Sequence, residues 1–209
     1  MQSNDNLFDV CVRGAGIVGR TLALALSRQG LAVALQAPPH DAAREDVRAY
    51  ALNAASVALL DSLKVWEPLP ADARTAVFDM RVEGDAAAAV LRFSAWQQQV
   101  RELAWIVDAA ALEAELAAAL RYAPHVSMTT DAVSARLLVL AEGRASATRE
   151  RLGVDFETHD YGQTAIAARQ SLAQLQISGS CPACRFAFGR HGDSVGALDA
   201  NLRVEVHNQ

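Results

Sequence analysis

Gly14-Ala15-Gly16-Ile17-Val18-Gly19 spaces three glycines as G-x-G-x-x-G. That spacing can hold a diphosphate, because each glycine removes a side chain where the backbone must turn or approach. Gly14 permits a tight turn, Gly16 lets the backbone reach phosphate oxygens, and Gly19 lets a helix pack closely on a strand. The helix N-terminus that follows offers unpaired N–H groups and the positive end of a dipole. The spacing alone is weak evidence and gains weight from its setting. The apolar run Phe8 to Val12 precedes it, a helical pattern Ile17 to Gln29 follows, and Gly30 stops that helix. Leu31 to Leu35 then reads as a second buried strand. A strand–turn–helix–strand unit is the setting in which such a turn binds a dinucleotide. The alternative is an ordinary βαβ start with glycines placed for turns.

The elements further on must position whatever else the site needs. Asn53 is a plausible cap for a helix running to Leu63, with Val57, Leu60 and Leu63 on one face. Ala76–Val82 and Ala87–Phe93 flank Glu83-Gly84-Asp85, the pattern of a β-hairpin. Asp108 can cap a helix from Ala109 to Tyr122 with Leu112, Leu116 and Leu120 as its stripe. Arg136–Ala141 reads as a buried strand, Glu142-Gly143-Arg144 as a turn, and Ser146 as the cap of a short helix to Leu152. Tyr161–Ala168 is one more strand candidate, and after Arg169 the periodicity fades.

Bulk properties exclude several classes. The chain has 209 residues, 52% hydrophobic and 21% charged, which predicts a folded protein with a sizeable core. A net charge of −5 argues against nucleic acid, whose phosphates call for a basic face. No apolar run is long enough to span a bilayer, and the polar start Met1 to Asn6 lacks the basic region of a signal peptide, so the expected location is the cytoplasm. Three cysteines make no disulfide framework. Cys181-Pro182-Ala183-Cys184 is a C-x-x-C, but neither a redox dithiol nor a zinc site has its usual surroundings, even with His191 and His207 added. We therefore expect no metal. No Ser/His/Asp arrangement or clustered carboxylates stand out, and no catalytic side chain is assigned.

Taken in order, the blocks resemble the ubiquinone-biosynthesis hydroxylases, within the para-hydroxybenzoate hydroxylase group of FAD-dependent aromatic monooxygenases. Asp9 to Gly19 looks like that family's opening strand and FAD turn. Arg48-Ala49-Tyr50-Ala51-Leu52-Asn53, running on to Leu63-Lys64-Val65-Trp66, resembles its "R-x-x-A-L … L-G-V-W" helix. Trp105-Ile106-Val107-Asp108 with Leu112 and Leu120 resembles the "I-V-x-N … L-x-x-A-L" helix. Leu138 to Ser146, ending in Arg149 to Gly153, is similar to "L-V-x-A-D-G-x-x-S-x-x-R-x-x-x-G", and Asp160 to Ile166 to the strand after it.

The resemblance implies an α/β fold: a Rossmann-like FAD-binding domain of the GR2 type with a partial substrate-domain sheet. It places the FAD domain and these partial strands in residues 1–169, leaving 170–209 as an irregular tail. The implied cofactor-binding residues are Gly14, Ala15, Gly16, Ile17, Val18 and Gly19 at the pyrophosphate, Arg48 at the flavin or pyrophosphate, and Glu142 and Gly143 in a second turn. Gln36 stands where a carboxylate usually accepts from the adenosine ribose. The implied reaction hydroxylates a prenylphenol ring on the route to ubiquinone, with FAD as cofactor and NAD(P)H as reductant. The implied partner is a small aromatic quinone precursor, and association with a membrane surface or a multi-enzyme assembly is compatible with it.

Three residues depart from the pattern. Gln36 is neutral, Glu142 replaces an aspartate, and Arg13 puts a charge where a small or apolar residue is usual. The span from His125 to Ala141 is too short for the family's antiparallel strands, and Gly192-Asp193-Ser194 only faintly echoes its "G-D-A-x-H-x-x-x-P" block. A truncation, or a shifted reading frame after Arg169, fits the tail. The rival reading is therefore a catalytically inactive nucleotide-binding remnant or an assembly partner. An NAD-dependent dehydrogenase is a third, without the tyrosine–lysine or histidine–carboxylate pair it would need.

Overall fold

The computed structural model describes residues 7–37, 48–83, 90–144, 146–155, 157–159, 166–171, 193–198 and 203–207. The chain divides into two compact units. One holds Met1–Arg44, Leu60–Pro68 and Leu112–Thr158; the other holds Glu45–Leu59, Leu69–Ala111 and His159–Gln209.

The first unit is built on a parallel sheet. Strand β1 (Phe8–Arg13) lies between β2 (Val33–Gln36) and β9 (Ala135–Leu140), and β8 (Val126–Thr129) flanks β2. All three pairings are parallel, with Val12 opposite Leu35 on one side and Val139 on the other. A central parallel strand is covered on both faces, so it reads as a continuous apolar run. Val10, Cys11 and Val12 are accordingly buried, as are Val33, Ala34 and Leu35. Helix α1 (Ile17–Arg28) connects β1 to β2 and buries Gly19, Ala23, Leu24 and Ser27. Asp9 in β1 accepts from the Ala32 amide at 2.9 Å, which fixes the entry to β2. Strand β9 pairs with β1 alone among the described strands, and its Leu137 and Leu138 are 56% and 45% exposed, so the expected strand Arg136–Ala141 is present as β9 but is not the buried one its apolar run suggests.

In the second unit, β3 (Ala49–Leu52), β7 (Ala104–Asp108) and β4 (Arg74–Val77) form an antiparallel sheet in the order β3-β7-β4. A second antiparallel sheet orders β12 (Arg203–His207), β5 (Asp79–Glu83) and β6 (Val90–Ser94), and β10 (Ile166–Ser171) pairs with β11 (Asp193–Leu198). Backbone strands thus continue beyond residue 169. Asp193 and Ser194 belong to β11. Val77 and Val107 are buried at the β4–β7 pair.

Helix starts follow the caps read in the sequence. The Asn53 side chain accepts from Ser56 N at 2.8 Å at the head of α2 (Ala54–Ser62), and Asp108 accepts from Ala111 N at 3.0 Å at the head of α3 (Ala109–Leu120). Leu112, Leu116 and Leu120 are buried, as their spacing predicts. Two expectations are corrected. Ala76–Val82 is not one strand: it breaks at Phe78 into β4 and β5, because its halves pair in different sheets. The Arg48 and Trp105 blocks also begin with strands, β3 and β7, before their helices. The turn expected at Gly84, most of the strand candidate Tyr161–Ala168, and Cys181 with Cys184 fall outside the described residues. Among the described residues no helix is long and apolar enough to cross a membrane.

Candidate functional site

The glycine turn joins β1 to α1 and is held from both sides. Gly14 N donates to Gln36 O at 2.8 Å, and Ala141 N donates to Arg13 O at 2.7 Å. The ends of β2 and β9 are thereby drawn against the end of β1. Gly14 takes φ +109°, a conformation that a side chain disfavours. A Cβ there would overlap the Ala141 carbonyl oxygen and stand 2.9 Å from Glu142 N. A Cβ on Gly19 would overlap the Gly14 carbonyl oxygen. These two glycines therefore allow three backbone segments to meet without any side chain between them.

Gly16 differs. It is exposed, it caps α1 with no side-chain hydrogen bond, and a Cβ on it would meet nothing within 4 Å. The first-turn amides of α1 follow it, and such amides have no intrahelical acceptors. The exposed Val18, at 71%, flanks the same opening. Ala15 and Ile17 are partly covered, and the Ala15 carbonyl is held by Arg20 Nε at 2.6 Å. Arg20 Nη1 also donates to Glu113 O at 3.1 Å, tying the turn to α3. The space a side chain would fill at Gly16 is thus open, at the head of α1. That is the arrangement a diphosphate requires.

The second turn lies at the end of β9. Gly143 is exposed with φ +77°, and nothing stands within 4 Å of a Cβ placed on it. Glu142 beside it is not a loose turn residue. Its carboxylate accepts from Ser146 Oγ and, at 2.8 Å, from Thr148 Oγ1, both on buried residues. Ser146 also caps α4 (Ala147–Arg151), accepting from Arg149 N at 3.1 Å. The Ser146 hydroxyl, opposed by burial and aided by Thr148 and the Arg13 charge, holds the Glu142 carboxyl below its ordinary value. In the folded chain this group stays ionised to lower pH than in the unfolded chain. Its contribution to stability is complete above the ordinary carboxylate range and is lost as pH falls through the lowered value. We expect the wild-type melting temperature to drop below about pH 5 more steeply than that of Glu142→Gln; parallel slopes in thermal melts across pH 3–7 would refute this.

Gln36 ends β2, and both ends of its amide are engaged. Oε1 accepts from Arg13 Nε at 2.8 Å, and Nε2 donates to Asp131 O at 3.0 Å. Arg13 Nη1 in turn donates to Thr148 Oγ1 at 3.3 Å. Burial pushes the neighbouring Cys11 thiol up, against the Arg13 charge. Sequence reasoning missed the anchoring by Arg20 and Thr148. It did mark Arg13 and Gln36 as departures, and the adjacency of the β1 and β2 ends was the signal that they meet. Arg48 belongs to the second unit, just before β3, with its guanidinium 5.8 Å from the Tyr50 ring centroid. The first unit thus brings together the glycine turn, Gln36, Glu142 and Gly143, and Arg48 stands outside it. Among the described residues no group of three or more His, Cys, Asp or Glu could hold a metal.

No family model matches the chain. A ubiquinone hydroxylase, UbiL, of Rhodospirillum rubrum is 30% identical over 189 residues, covering 78% of this chain and 44% of the relative. The 3-demethoxyubiquinol 3-hydroxylase of Escherichia coli is 26% identical over 184 residues, covering 76% of this chain and 47% of the relative. The chain therefore spans about half the length of the curated relatives it matches. Among solved structures, PqsL of Pseudomonas aeruginosa, described as "a probable FAD-dependent monooxygenase", superposes with TM-score 0.64 at 18% identity, covering 96% of this chain and 61% of that one. Over the stretch it shares with these proteins, the chain is a homologue of the ubiquinone hydroxylases and carries the α/β fold of the FAD-dependent monooxygenases.

Proposed function

We propose that the chain carries the FAD-binding part of an aromatic-ring hydroxylase acting on a quinone precursor. The observation that carries the reading is the open space at Gly16, framed by a turn whose other glycines are sterically required. The names of the ubiquinone hydroxylase relatives support a quinone precursor as the substrate class.

In this reading the amides of the turn Gly14, Ala15, Gly16, Ile17, Val18 and Gly19 receive the pyrophosphate, helped by the dipole of α1. Gly143 lets the backbone approach in the second turn, and Glu142, fixed by Ser146 and Thr148, holds that turn in shape. Gln36 lies toward the ribose. Arg48 serves the flavin or pyrophosphate with a charge that persists at all working pH values. FAD would supply the redox and oxygen chemistry, drawing electrons from NAD(P)H. The protein's own part is to bind, orient and exclude water. That division of labour fits a sequence in which no acid–base pair stands out. The location we propose is the cytoplasm.

The test is spectroscopic. Purified protein should take up FAD, with a flavin absorbance band and a raised melting temperature, and should oxidise NAD(P)H faster when a prenylphenol is added. Protein that stays colourless and gains no thermal stability from FAD would refute the reading.

A further inference from the structure

We infer that Arg13 sets how tightly this turn holds a nucleotide, by competing with the adenosine ribose for Gln36. The inference rests on the nucleotide reading above and extends it to a residue that reading gives no role.

Arg13, Gln36 and Glu142 each depart from the pattern the chain otherwise follows, and the structure joins all three. Gln36 Oε1 accepts from Arg13 Nε at 2.8 Å. Arg13 Nη1 donates to Thr148 Oγ1 at 3.3 Å. Thr148 Oγ1 donates to Glu142 Oε1 at 2.8 Å. The guanidinium thus runs from the tip of β2 past its own strand to α4. Gly14 N on Gln36 O, at 2.8 Å, fixes the two strand tips side by side. In a turn of this kind the residue ending the second strand meets the ribose, whose hydroxyls donate to it. Here that acceptor already carries an N–H from a cation, and the amide nitrogen is turned to Asp131 O at 3.0 Å.

The alternative is that the guanidinium is offered to a phosphate on the ribose. Its surroundings argue otherwise. Its Nε is engaged by Gln36 and its Nη1 by Thr148, whose hydroxyl also accepts from Arg151 Nη2 at 3.2 Å and donates to Glu142. A ribose hydroxyl that reaches Gln36 must therefore either displace Arg13, breaking a hydrogen bond to a charged group, or take the second lone pair of an oxygen already polarised toward a cation, which makes a weaker acceptor. A hydrogen bond to a charged group is strong enough that its loss weakens nucleotide binding about tenfold.

The experiment measures binding of ADP, FAD and inorganic pyrophosphate by calorimetry, for the wild type, Arg13→Met, Arg13→Ala, Gln36→Glu and the double variant R13M/Q36E. Arg13→Met keeps the aliphatic stem should Arg13→Ala fail to fold, and thermal melts report on folding. We expect Arg13→Met to bind ADP and FAD about tenfold more tightly while pyrophosphate, which has no ribose, binds unchanged. Gln36→Glu alone should not tighten ADP, because Arg13 would pair with the new carboxylate, whereas R13M/Q36E should bind tightest. Unchanged or weaker ADP binding by Arg13→Met, in a protein that loses ADP on Gly16→Val, overturns the role of Arg13 and leaves the nucleotide reading standing. Equal tightening for pyrophosphate also overturns it, because the effect would then be one of general charge. If neither wild type nor Arg13→Met binds any of the three, the nucleotide reading falls and takes this inference with it.

Discussion

Gly19→Ala is expected to prevent stable folding of the first unit. The added methyl would overlap the carbonyl oxygen of Gly14, and the Gly14 carbonyl carbon would lie 3.0 Å away. Both are backbone atoms, so no rotamer change relieves the clash. Moving either segment disturbs Gly14 N on Gln36 O, or the seat of α1 on β1. Inserting a methylene into a packed core typically costs about 1–3 kcal/mol, and a clash between main chains belongs at or above the top of that range. Against a total stability of about 5–15 kcal/mol, a loss of about 4 kcal/mol or more removes much of the margin. Urea melts of wild type and variant decide the matter: a midpoint unchanged within error would mean that α1 does not sit on β1 as described. Gly14→Ala should be at least as damaging, because it adds strain at φ +109° to an overlap with Ala141.

Gly16→Val should do the reverse, leaving the fold intact and removing the ligand. Gly16 has φ −75° and ψ −176°, extended backbone open to any residue. Its Cβ would touch nothing, and losing glycine as a helix cap costs below about 1 kcal/mol. The valine would instead fill the open space at the head of α1, beside its first-turn amides. A diphosphate held by those amides would lose close approach, so affinity for FAD or ADP should fall about a hundredfold, or about 2.7 kcal/mol. Calorimetry against ADP, paired with a thermal melt, separates the two effects. A variant that melts normally and still binds ADP like the wild type would place the phosphates elsewhere.

Much of this pair of predictions was legible before any coordinates. The distinction between a glycine needed for packing and one needed for approach follows from G-x-G-x-x-G in its strand–helix setting. The caps at Asn53, Asp108 and Ser146 were readable for the same reason: a short polar side chain before an apolar helical period has one obvious use. What stayed hidden was set by pairing at long range. β3, β7 and β8 are short, and nothing local in Ala49–Leu52 or Val126–Thr129 says which strand lies alongside. The break at Phe78 escaped notice because an apolar run does not announce that its halves join different sheets. The contacts of Arg13 and Glu142 with Thr148 were likewise out of reach, since Thr148 meets Arg13 across 135 residues of chain. The sequence marked the odd residues, but only the fold could bring them together.

The outer flank of β9 carries a further consequence, for how this protein behaves in a tube. Among the described residues no strand pairs with the outer edge of its six residues, with Leu137 and Leu138 exposed on opposite faces and Arg136 as the strand's only charge. Such a rim is a template on which another polypeptide can lay down a matching strand. Concentrated samples are therefore prone to recruit one another into oligomers, and a lysine in place of Leu138 is a rational first step toward a well-behaved preparation.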